Sequence, residues 1–498
     1  MKPIGYAALI ETFQLEVLAL NVVSYLLERG DRQTRTDQGW REELYPPRYS
    51  PGDLWTDQLL FALKHEGINL EVLSALFQRA PRNEITACIR RLPTGRYTRT
   101  AWFLFEWLTG RKLPISDLTR GNYVEVLDPS RYYCLNRNKG AFLVRRQRVV
   151  NNLPGTPAYC PLVRRTETLS GFEKAQLNMR ARKQLSRFPK EVIHRAVQYL
   201  YVKETKSSYQ IEHMQPGQRR IARFVELLRR AGRTPSFSEA DLVALQRTIV
   251  DERYAAKGFR DIQNYVGQNL GPGRELIHFV PPRPEDLRAL MEGWMISCRQ
   301  MLQAGIHPVI TAAVAGFGFV FLHPFEDGNG RLHRFLIHHV LAAQGFTPES
   351  IIFPVSAMML KQLPRYDATL ESYSRPLMQH VEYRMGDSGD MQVLNPTATF
   401  YRFPDMTFIA EQLFGFIRDT IELEFTAELE FLLAFDAARQ RMRDVVDMPD
   451  SRADLFVRLC LQGRGRLSRN KRKQFDELTD HEIDDLEAIV LQALKHKE

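Results

Sequence analysis

The chain has 498 residues, of which 44% are hydrophobic and 26% are charged, and its formal net charge at pH 7 is +9. This composition is typical of a globular protein and excludes a fibrous or largely disordered chain, while the length predicts about two or three domains. The positive charge favours anionic partners such as nucleotides, nucleic acid or acidic protein surfaces, and general surface charge is the alternative explanation.

The five cysteines are odd in number and far apart, and no pair forms a CxxC motif. This pattern argues against a disulfide framework or a structural zinc site and favours a reducing compartment. The N-terminal segment lacks a signal-peptide pattern, and the longest uncharged run, Pro308–Leu322, is shorter than a membrane span of about 20 residues. We therefore expect a cytoplasmic protein without a membrane anchor.

Residues 1–165 are predicted to form a mostly helical N-terminal region. Apolar residues recur at helical spacing over residues 6–28, and residues 30–53 are polar and rich in turn residues. Shorter helical patterns cover residues 59–61, 70–77, 85–92 and 101–107, with Pro81 in the first turn of the third. Residues 120–165 are irregular, with short strands at most. Arginines near the short helices leave a helix-turn-helix as an alternative to a plain helical scaffold: Arg82, Arg90, Arg91, Arg96 and Arg99.

A second, mainly helical region is predicted for residues 166–385. A helix is expected over residues 192–212 and another over 239–250, the latter capped by Ser236 or Ser238. Between Asp261 and Phe279 the periodicity changes to that of a distorted β-hairpin, with Gly271-Pro272-Gly273 at its turn. The run Pro308–Leu322 is apolar all round and predicts a buried helix, and a further helix follows Gly330.

Residues 386–498 are predicted to be helical again, and their last helix begins with the capping box Thr479-Asp-His-Glu482. A basic run precedes this helix: Arg464, Arg466, Arg469, Lys471, Arg472 and Lys473. This run could contact a polyanion, and a solvated connecting loop is the alternative.

The stretch from His323 to Arg334 carries the residue types of a nucleotide phosphate site. Gly328, Asn329 and Gly330 stand just before a predicted helix, whose first N–H groups and dipole form an anion site. Arg331 and Arg334 are neighbours on one helix face and offer forked donors to phosphate.

The same stretch supplies a base and a metal ligand. Asp327 has no evident partner within the motif, and a carboxylate beside phosphates normally holds Mg²⁺ (or Mn²⁺). His323 can accept a proton near pH 7, and Phe325 alternates with polar neighbours and so turns into the core as an anchor. The ordered set fits attack of a hydroxyl on a nucleotide phosphate, although each feature alone is more often structural.

This stretch resembles the signature of the Fic family, His-x-Phe-x-Asp/Glu-Gly-Asn-Gly-Arg-x-x-Arg, and matches it at every specified position. The resemblance covers about residues 190–380 and implies a mainly α-helical Fic-type core with a β-hairpin flap. It also implies transfer of AMP from ATP to a Ser, Thr or Tyr hydroxyl of a target protein or of the chain itself. In that scheme His323 is the general base, Asp327 holds the metal and Gly328, Asn329, Gly330 and Arg331 cradle the α- and β-phosphates. Arg334 contacts the distal phosphates, and the hairpin at residues 261–279 registers the target backbone.

A second resemblance lies upstream, at residues 203–213. Ser208-Tyr-Gln-Ile-Glu212 is similar to the inhibitory helix motif of this family, Ser/Thr-x-x-x-Glu-Gly/Asn, but His213 replaces the last residue. The resemblance implies that Glu212 pairs with Arg334 and displaces the γ-phosphate. Physically, a carboxylate delivered to a phosphate-binding arginine competes with phosphate. His213 either weakens this restraint or makes it sensitive to pH.

The sequence therefore predicts an autoinhibited protein adenylyltransferase with ATP and a protein target as partners. Within the same fold, the alternatives are a different nucleotide donor or removal of AMP from a modified target. An alternative of another class is a nucleotide-responsive regulator, in which the flanking regions bind DNA or a protein and the core senses ATP. A homo-oligomer is left open.

Overall fold

The computed structural model describes residues 1–37, 40–233, 237–271, 274–386, 389–463 and 465–495. Within these residues the chain is mainly helical and carries only small β-sheets, which confirms the predicted fold class. Across the same residues, no helix combines the length and the apolar character that a membrane crossing requires. Of the positions named above, Ser236, Pro272, Gly273 and Arg464 lie outside the described residues.

The N-terminal region is mixed α/β rather than mostly helical. The predicted helix over residues 6–28 is wrong beyond α1 (Tyr6–Phe13), which ends at Gln14 in the left-handed conformation. The segment Val22–Leu26 is a strand because its β-branched and aromatic residues pair with strands on both sides. In the described part of the chain the sheet has the order β1-β2-β4-β3. These strands are β1 (Lys2–Ile4), β2 (Val22–Leu26), β3 (Gln33–Asp37) and β4 (Trp40–Tyr45).

The helices predicted downstream are confirmed: α2 (Trp55–His65), α3 (Leu70–Arg79), α4 (Arg82–Arg91) and α5 (Arg96–Thr109). Pro81 is the N-cap residue of α4 and not part of its first turn. The irregular residues 120–165 contain only short strands, as predicted, in the order β5-β7-β6. They are β5 (Val124–Glu125), β6 (Phe142–Val144) and β7 (Val149–Asn151).

The five arginines considered for a helix-turn-helix contact their own chain. Three of them donate to backbone carbonyls and two to carboxylates. The pairs are Arg82 with Lys112 O, Arg90 with Pro114 O, Arg91 with Asp57, Arg96 with Asp128, and Arg99 with Asn122 O. These contacts favour the helical-scaffold interpretation.

The central region follows the predicted order of elements. Its hairpin pairs β8 (Val266–Gly271) with β9 (Arg274–Phe279), and register shifts along the ladder make it distorted, as expected. Its helices are α6 (Glu167–Ala175), α7 (Leu177–Leu185), α8 (Lys190–Ile211), α9 (Gln218–Arg229), α10 (Glu239–Ile249), α11 (Pro284–Ala304), α12 (Pro308–Leu322), α13 (Asn329–Ala343), α14 (Val355–Lys361) and α15 (Leu363–Met378). Ser238 caps α10 through a hydrogen bond from Asp241 N.

The C-terminal region is helical apart from a short hairpin, β10 (Tyr383–Met385) with β11 (Met391–Val393), which the sequence did not predict. Its helices are α16 (Ala398–Arg402), α17 (Thr407–Asp419), α18 (Thr426–Val445), α19 (Asp450–Gln462), α20 (Arg469–Arg472) and α21 (Asp480–Lys495), and a π-helical turn at Thr420–Phe425 joins α17 to α18. The capping box of α21 is confirmed, with Thr479 N 2.7 Å from Glu482 Oε2. Arg472 of the basic run is already paired with Asp484 and Glu487.

Helix α12 lies at the centre of the largest core because nearly all of its side chains are buried, as its uncharged sequence predicted. It packs against α11, α13 and α17. A separate core fills the N-terminal region, and a small third core lies among α18, α19 and α21. The junction between α12 and α13, where His323 and the glycine-rich loop lie, is thereby attached to the largest buried core.

Candidate active site

His323 is the C-cap of α12 and adopts a left-handed backbone with φ of 48°. Its Nδ1 lies 3.1 Å from Val320 O, and because a carbonyl only accepts, Nδ1 carries the proton. The lone pair of Nε2 is then available. Burial lowers the pKa of His323 to about 4, so the imidazole is neutral near pH 7. This arrangement can accept a proton from a bound hydroxyl.

Phe325 and Asn329 shape the loop between the two helices. Phe325 is buried and packs between the rings of Phe259 and Phe319, with centroids 5.9 and 6.2 Å away. The Asn329 side chain accepts from Phe325 N at 3.1 Å and donates to Phe325 O at 2.7 Å. The asparagine therefore closes the loop on itself, and the phenylalanine holds it against the core.

Gly328 and Gly330 open the N-terminus of α13. Gly328 has φ of 89°, and a Cβ there would lie 3.0 Å from Val250 Cγ1. A Cβ on Gly330 would collide with the Glu212 carboxylate. The first turn of a helix has N–H groups without intrahelical acceptors, so these glycines let an anion approach those donors.

Arg331 and Arg334 flank this helix end and are both only 2% exposed. Arg334 donates from Nε to Ser208 Oγ and from Nη2 to Ser208 O, each at 2.7 Å. Arg331 donates to Ile249 O at 3.1 Å. Burial opposes the charge of Arg331, but Glu212 and Asp327 together raise its pKa. The two guanidiniums thus form a fixed positive pocket.

The Glu212 carboxylate occupies that pocket. Its Oε1 accepts from Arg334 Nη2 at 2.6 Å, and its Oε2 lies 3.0 Å from Arg331 Nε. The sequence pointed to Arg334 alone as the partner, and the structure adds Arg331. A carboxylate at the start of α13, held by both arginines, takes the position where that helix end favours an anion.

Helix α8 delivers Glu212 through its C-terminal cap. His213 N donates to Gln210 O at 2.9 Å and Met214 N donates to Tyr209 O at 3.0 Å, which is a Schellman motif. His213 has φ of 56°, the conformation that favours glycine or asparagine. This explains physically why the inhibitory motif has Gly or Asn there, and why histidine introduces strain.

Asp327 does have a partner within the motif, contrary to the sequence-based expectation. Its Oδ1 accepts from Arg331 Nη2 and from Gly328 N, each at 2.6 Å. The pair is four residues apart and joins a loop residue to the first turn of α13. The Asp327 side chain is nevertheless 54% exposed at the mouth of the anion pocket.

The donor set is compatible with Mg²⁺ bound mainly by a nucleotide. Among the described residues there is no cluster of three or more His, Cys, Asp or Glu side chains that could hold a metal by themselves. A site with one exposed carboxylate suits Mg²⁺, which usually takes one or two carboxylates together with phosphate and water oxygens. Asp327 is the residue that would hold it.

Glu204 of α8 contacts His338 of α13 and Ser356 of α14, and these contacts were not found from the sequence. Glu204 is fully buried, with Oε1 2.7 Å from His338 Nε2 and Oε2 accepting from Ser356 N at 2.8 Å. Glu204, Ser208 and Glu212 recur every four residues on one face of α8. This spacing indicates that the three side chains share a face, but it does not predict their partners, which lie more than a hundred residues away in the sequence.

Residues 236–341 match the family model described as Fic/DOC family. The matched segment includes the hairpin and α11 to α13, and with them every motif residue from His323 to Arg334. It does not include Ser208 or Glu212.

Several curated relatives bear the name "Protein adenylyltransferase Fic", including those from Culex quinquefasciatus and Nematostella vectensis. The relative from Culex quinquefasciatus is 36% identical over 113 residues, which are 22% of this chain and 20% of the relative. The relative from Nematostella vectensis is 29% identical over 126 residues, or 24% of this chain and 26% of the relative. The similarity therefore spans about a quarter or less of the length of these relatives.

Two solved structures are similar to parts of the chain. One is a Fic family protein from Desulfovibrio desulfuricans, with 18% identity, a TM-score of 0.35, and coverage of 67% of this chain and 90% of that one. The other is a Fic domain containing signaling protein from Bacteroides thetaiotaomicron, with 19% identity, a TM-score of 0.37, and coverage of 51% and 95%.

Proposed function

We propose that this protein, whose residues 236–341 form a Fic domain, is an autoinhibited protein adenylyltransferase. It transfers AMP from ATP to a Ser, Thr or Tyr hydroxyl of a protein target and of itself. The observation that carries the proposal is the Glu212 carboxylate between Arg331 and Arg334 in an otherwise complete phosphate pocket. The name of the curated relatives supports AMP as the transferred group.

In the proposed reaction the α- and β-phosphates lie over the first turn of α13, held by its N–H groups and Arg331. The target hydroxyl donates its proton to His323 Nε2, and its oxygen bonds to the α-phosphorus. The bond from the α-phosphorus to the bridging oxygen breaks, and pyrophosphate leaves. Proximity and fixed positive charge supply most of the acceleration in such a site. Mg²⁺ held by Asp327 would neutralise phosphate charge.

In the resting state Glu212 takes the position of the distal phosphate on Arg334. ATP can then bind only with its phosphates displaced, and the α-phosphorus does not face His323. Release requires Glu212 to leave both arginines. The unpaired thiols of all five cysteines and the need for ATP support a cytoplasmic location for this reaction.

The proposal is tested by intact-mass and peptide mass spectrometry of Glu212→Gly after incubation with ATP and Mg²⁺, alone and with lysate. We expect an added AMP on the chain, absent from Glu212→Gly/His323→Ala and after chelation with EDTA. Glu191→Gln, an exposed change at the other end of α8, is the matched control and should behave as wild type. Parallel incubations with UTP, and with a target already carrying AMP, separate the alternative donor and the reverse reaction. No adduct from any nucleotide would refute the proposal.

A further inference from the structure

Arg260 is a buried arginine that the sequence motif does not include. It precedes the hairpin and is 6% exposed, yet within the described residues its guanidinium has no carboxylate partner. Nε donates to His323 O at 2.9 Å, Nη1 to Ile262 O at 2.8 Å and Nη2 to Pro282 O at 2.5 Å. Its backbone N–H donates to Pro324 O at 2.9 Å.

These three carbonyls belong to three parts of the proposed active site. Ile262 precedes β8 and Pro282 follows β9, so one guanidinium holds both ends of the hairpin. His323 supplies the third carbonyl. A guanidinium is a rigid planar fork, so its three bonds fix the relative positions of their acceptors.

Two neighbouring amides reinforce this connection. Gln263 donates to Pro281 O at 3.0 Å, and Asn264 donates to Phe325 O at 3.0 Å. Arg260 and Asn264 therefore tie the base of the hairpin to the His323 loop, and Gln263 helps to hold the two ends of the hairpin together. No comparable chain of bonds is needed to hold α12 and α13, which already pack through the apolar core.

A buried guanidinium without an ion pair is costly. Desolvation lowers the pKa of Arg260 to about 10, so the group still carries its charge at pH 7. Apolar residues of similar size commonly replace buried charges without loss of stability. An apolar side chain could not make the three bonds of Arg260, so the geometry that these bonds fix is what distinguishes the guanidinium from such a replacement.

We propose that Arg260 is a positioning residue for the acceptor. It fixes the hairpin relative to His323, so that an extended segment of the target paired with the hairpin presents its hydroxyl to Nε2. This inference rests on the proposed function. It separates two demands on the site: α13 positions the nucleotide, and Arg260 positions the acceptor relative to the base.

The test compares transfer with hydrolysis in the Glu212→Gly background. Water can replace the hydroxyl and release free AMP and pyrophosphate from the same bound ATP. With Arg260→Met we expect the ratio of protein-bound AMP to free AMP to fall by about tenfold or more, while ATP affinity stays within about twofold. Arg260→Lys, which keeps the charge without the fork, should recover part of the ratio. Arg402→Met is the matched control, because Arg402 also donates to a backbone carbonyl, that of Pro157, which belongs neither to the hairpin nor to the His323 loop.

The inference would be overturned if Arg260→Met and Arg402→Met gave the same ratio of protein-bound AMP to free AMP. It would also be overturned if Arg260→Met lost transfer, hydrolysis and ATP binding to the same extent. Amide exchange supplies a readout that does not need activity. In Arg260→Met, or in Arg260→Lys if the former does not fold, the hairpin should exchange faster while α12 stays protected. Unchanged hairpin exchange, or loss of protection in α12, would also overturn the inference. A Glu212→Gly parent that neither transfers nor hydrolyses any nucleotide would refute the proposed function, and amide exchange would still decide the position of Arg260.

Discussion

At the scale of single residues, the backbone of His213 decides how firmly Glu212 is presented to the arginines. The Schellman cap of α8 requires a positive φ at this position, and His213 adopts 56°. A non-glycine residue in this conformation costs about 1 kcal/mol. The contact of Glu212 with the two arginines therefore forms against local strain, which favours its release.

Replacing His213 by glycine should tighten the closed state. We expect His213→Gly to lower the basal self-labelling of the otherwise wild-type chain by up to about fivefold, the equivalent of about 1 kcal/mol. Labelling by Glu212→Gly/His213→Gly should match that of Glu212→Gly, since the strain matters only while Glu212 is present. Gly345→Ala is the control, because it introduces a Cβ at another helix end where φ is 66° and no atom would clash with it. This substitution should destabilise the fold, but the labelling of each folded molecule should not change. Higher basal labelling of His213→Gly would contradict this explanation.

At the scale of elements, α8 is held on two sides. One face points toward α13. There Glu212 contacts Arg331 and Arg334, Ser208 contacts Arg334, and Glu204 contacts His338. On the other side Lys203 lies 2.5 Å from Glu424, in the π-helical turn before α18. The C-terminal region thereby braces the helix that carries Glu212.

Glu204→Gln should loosen α8 without touching the phosphate pocket. The glutamine keeps the shape but replaces one carboxylate oxygen facing His338 and Ser356 by an amide NH₂ group, and a buried donor left without an acceptor costs about 1–3 kcal/mol. We expect faster amide exchange in the last turns of α8 and a severalfold rise in basal self-labelling. Glu191→Gln on the same helix is the control. Unchanged protection of α8 would show that the apolar contacts alone hold it.

Sequence reasoning succeeded where the pattern is local and failed where pairing is distant. The uncharged run predicted α12 with its observed bounds, and the capping box at Thr479 fixed the start of α21. The apolar spacing of Val22–Leu26 suits a helix as well as a strand, and only its pairing with β1 and β4 makes it a strand. The contact between Glu204 and His338 could not be predicted, because the sequence pattern around either residue does not identify the other as its partner.

The motif itself shows the same division. The residues predicted to form a phosphate pocket, a base and an anchor lie together at the junction of α12 and α13. The ion pair of Asp327 with Arg331 was missed because it depends on how the loop enters α13. The position of Arg260 could not be predicted because its partners are backbone carbonyls, which every residue has whatever its side chain.

At the scale of the whole molecule, the central and N-terminal regions differ in how they respond to acid. Burial lowers the pKa of four histidines around α12 and α13, to about 3 for His333 and about 4 for His307, His323 and His339. In the N-terminal region burial raises the pKa of Glu66 and Glu71 to about 7 and lowers that of one histidine, His65, to about 4. Folding therefore releases protons from the four central histidines, whereas in the N-terminal region two glutamates take up protons and one histidine releases them.

Lowering the pH should weaken the central core first. Below about 6.5 the unfolded histidines bind protons that the folded ones exclude, so stability there falls as the pH drops from about 6.5 toward 4. The two glutamates have the reverse effect, since their folded forms keep protons up to about pH 7. We expect amide exchange, corrected for its intrinsic rate, to show lower opening free energies in α12 at pH 5 than at pH 7, with no such loss in α3. His333→Phe removes one titrating ring beside Phe317 and should reduce the difference. Equal acid sensitivity of both helices would contradict the explanation.

The most direct test of the account is the initial rate of label incorporation from ATP carrying radioactive phosphorus at either the α- or the γ-position. We expect Glu212→Gly to incorporate the α-label at least about tenfold faster than wild type, which corresponds to about 1.4 kcal/mol of restraint by Glu212. We expect no γ-label on the protein, and no label of either kind in Glu212→Gly/His323→Ala. Equal α-label incorporation by wild type and Glu212→Gly would contradict the claim that Glu212 closes the site. Incorporation of the γ-label would contradict transfer of AMP.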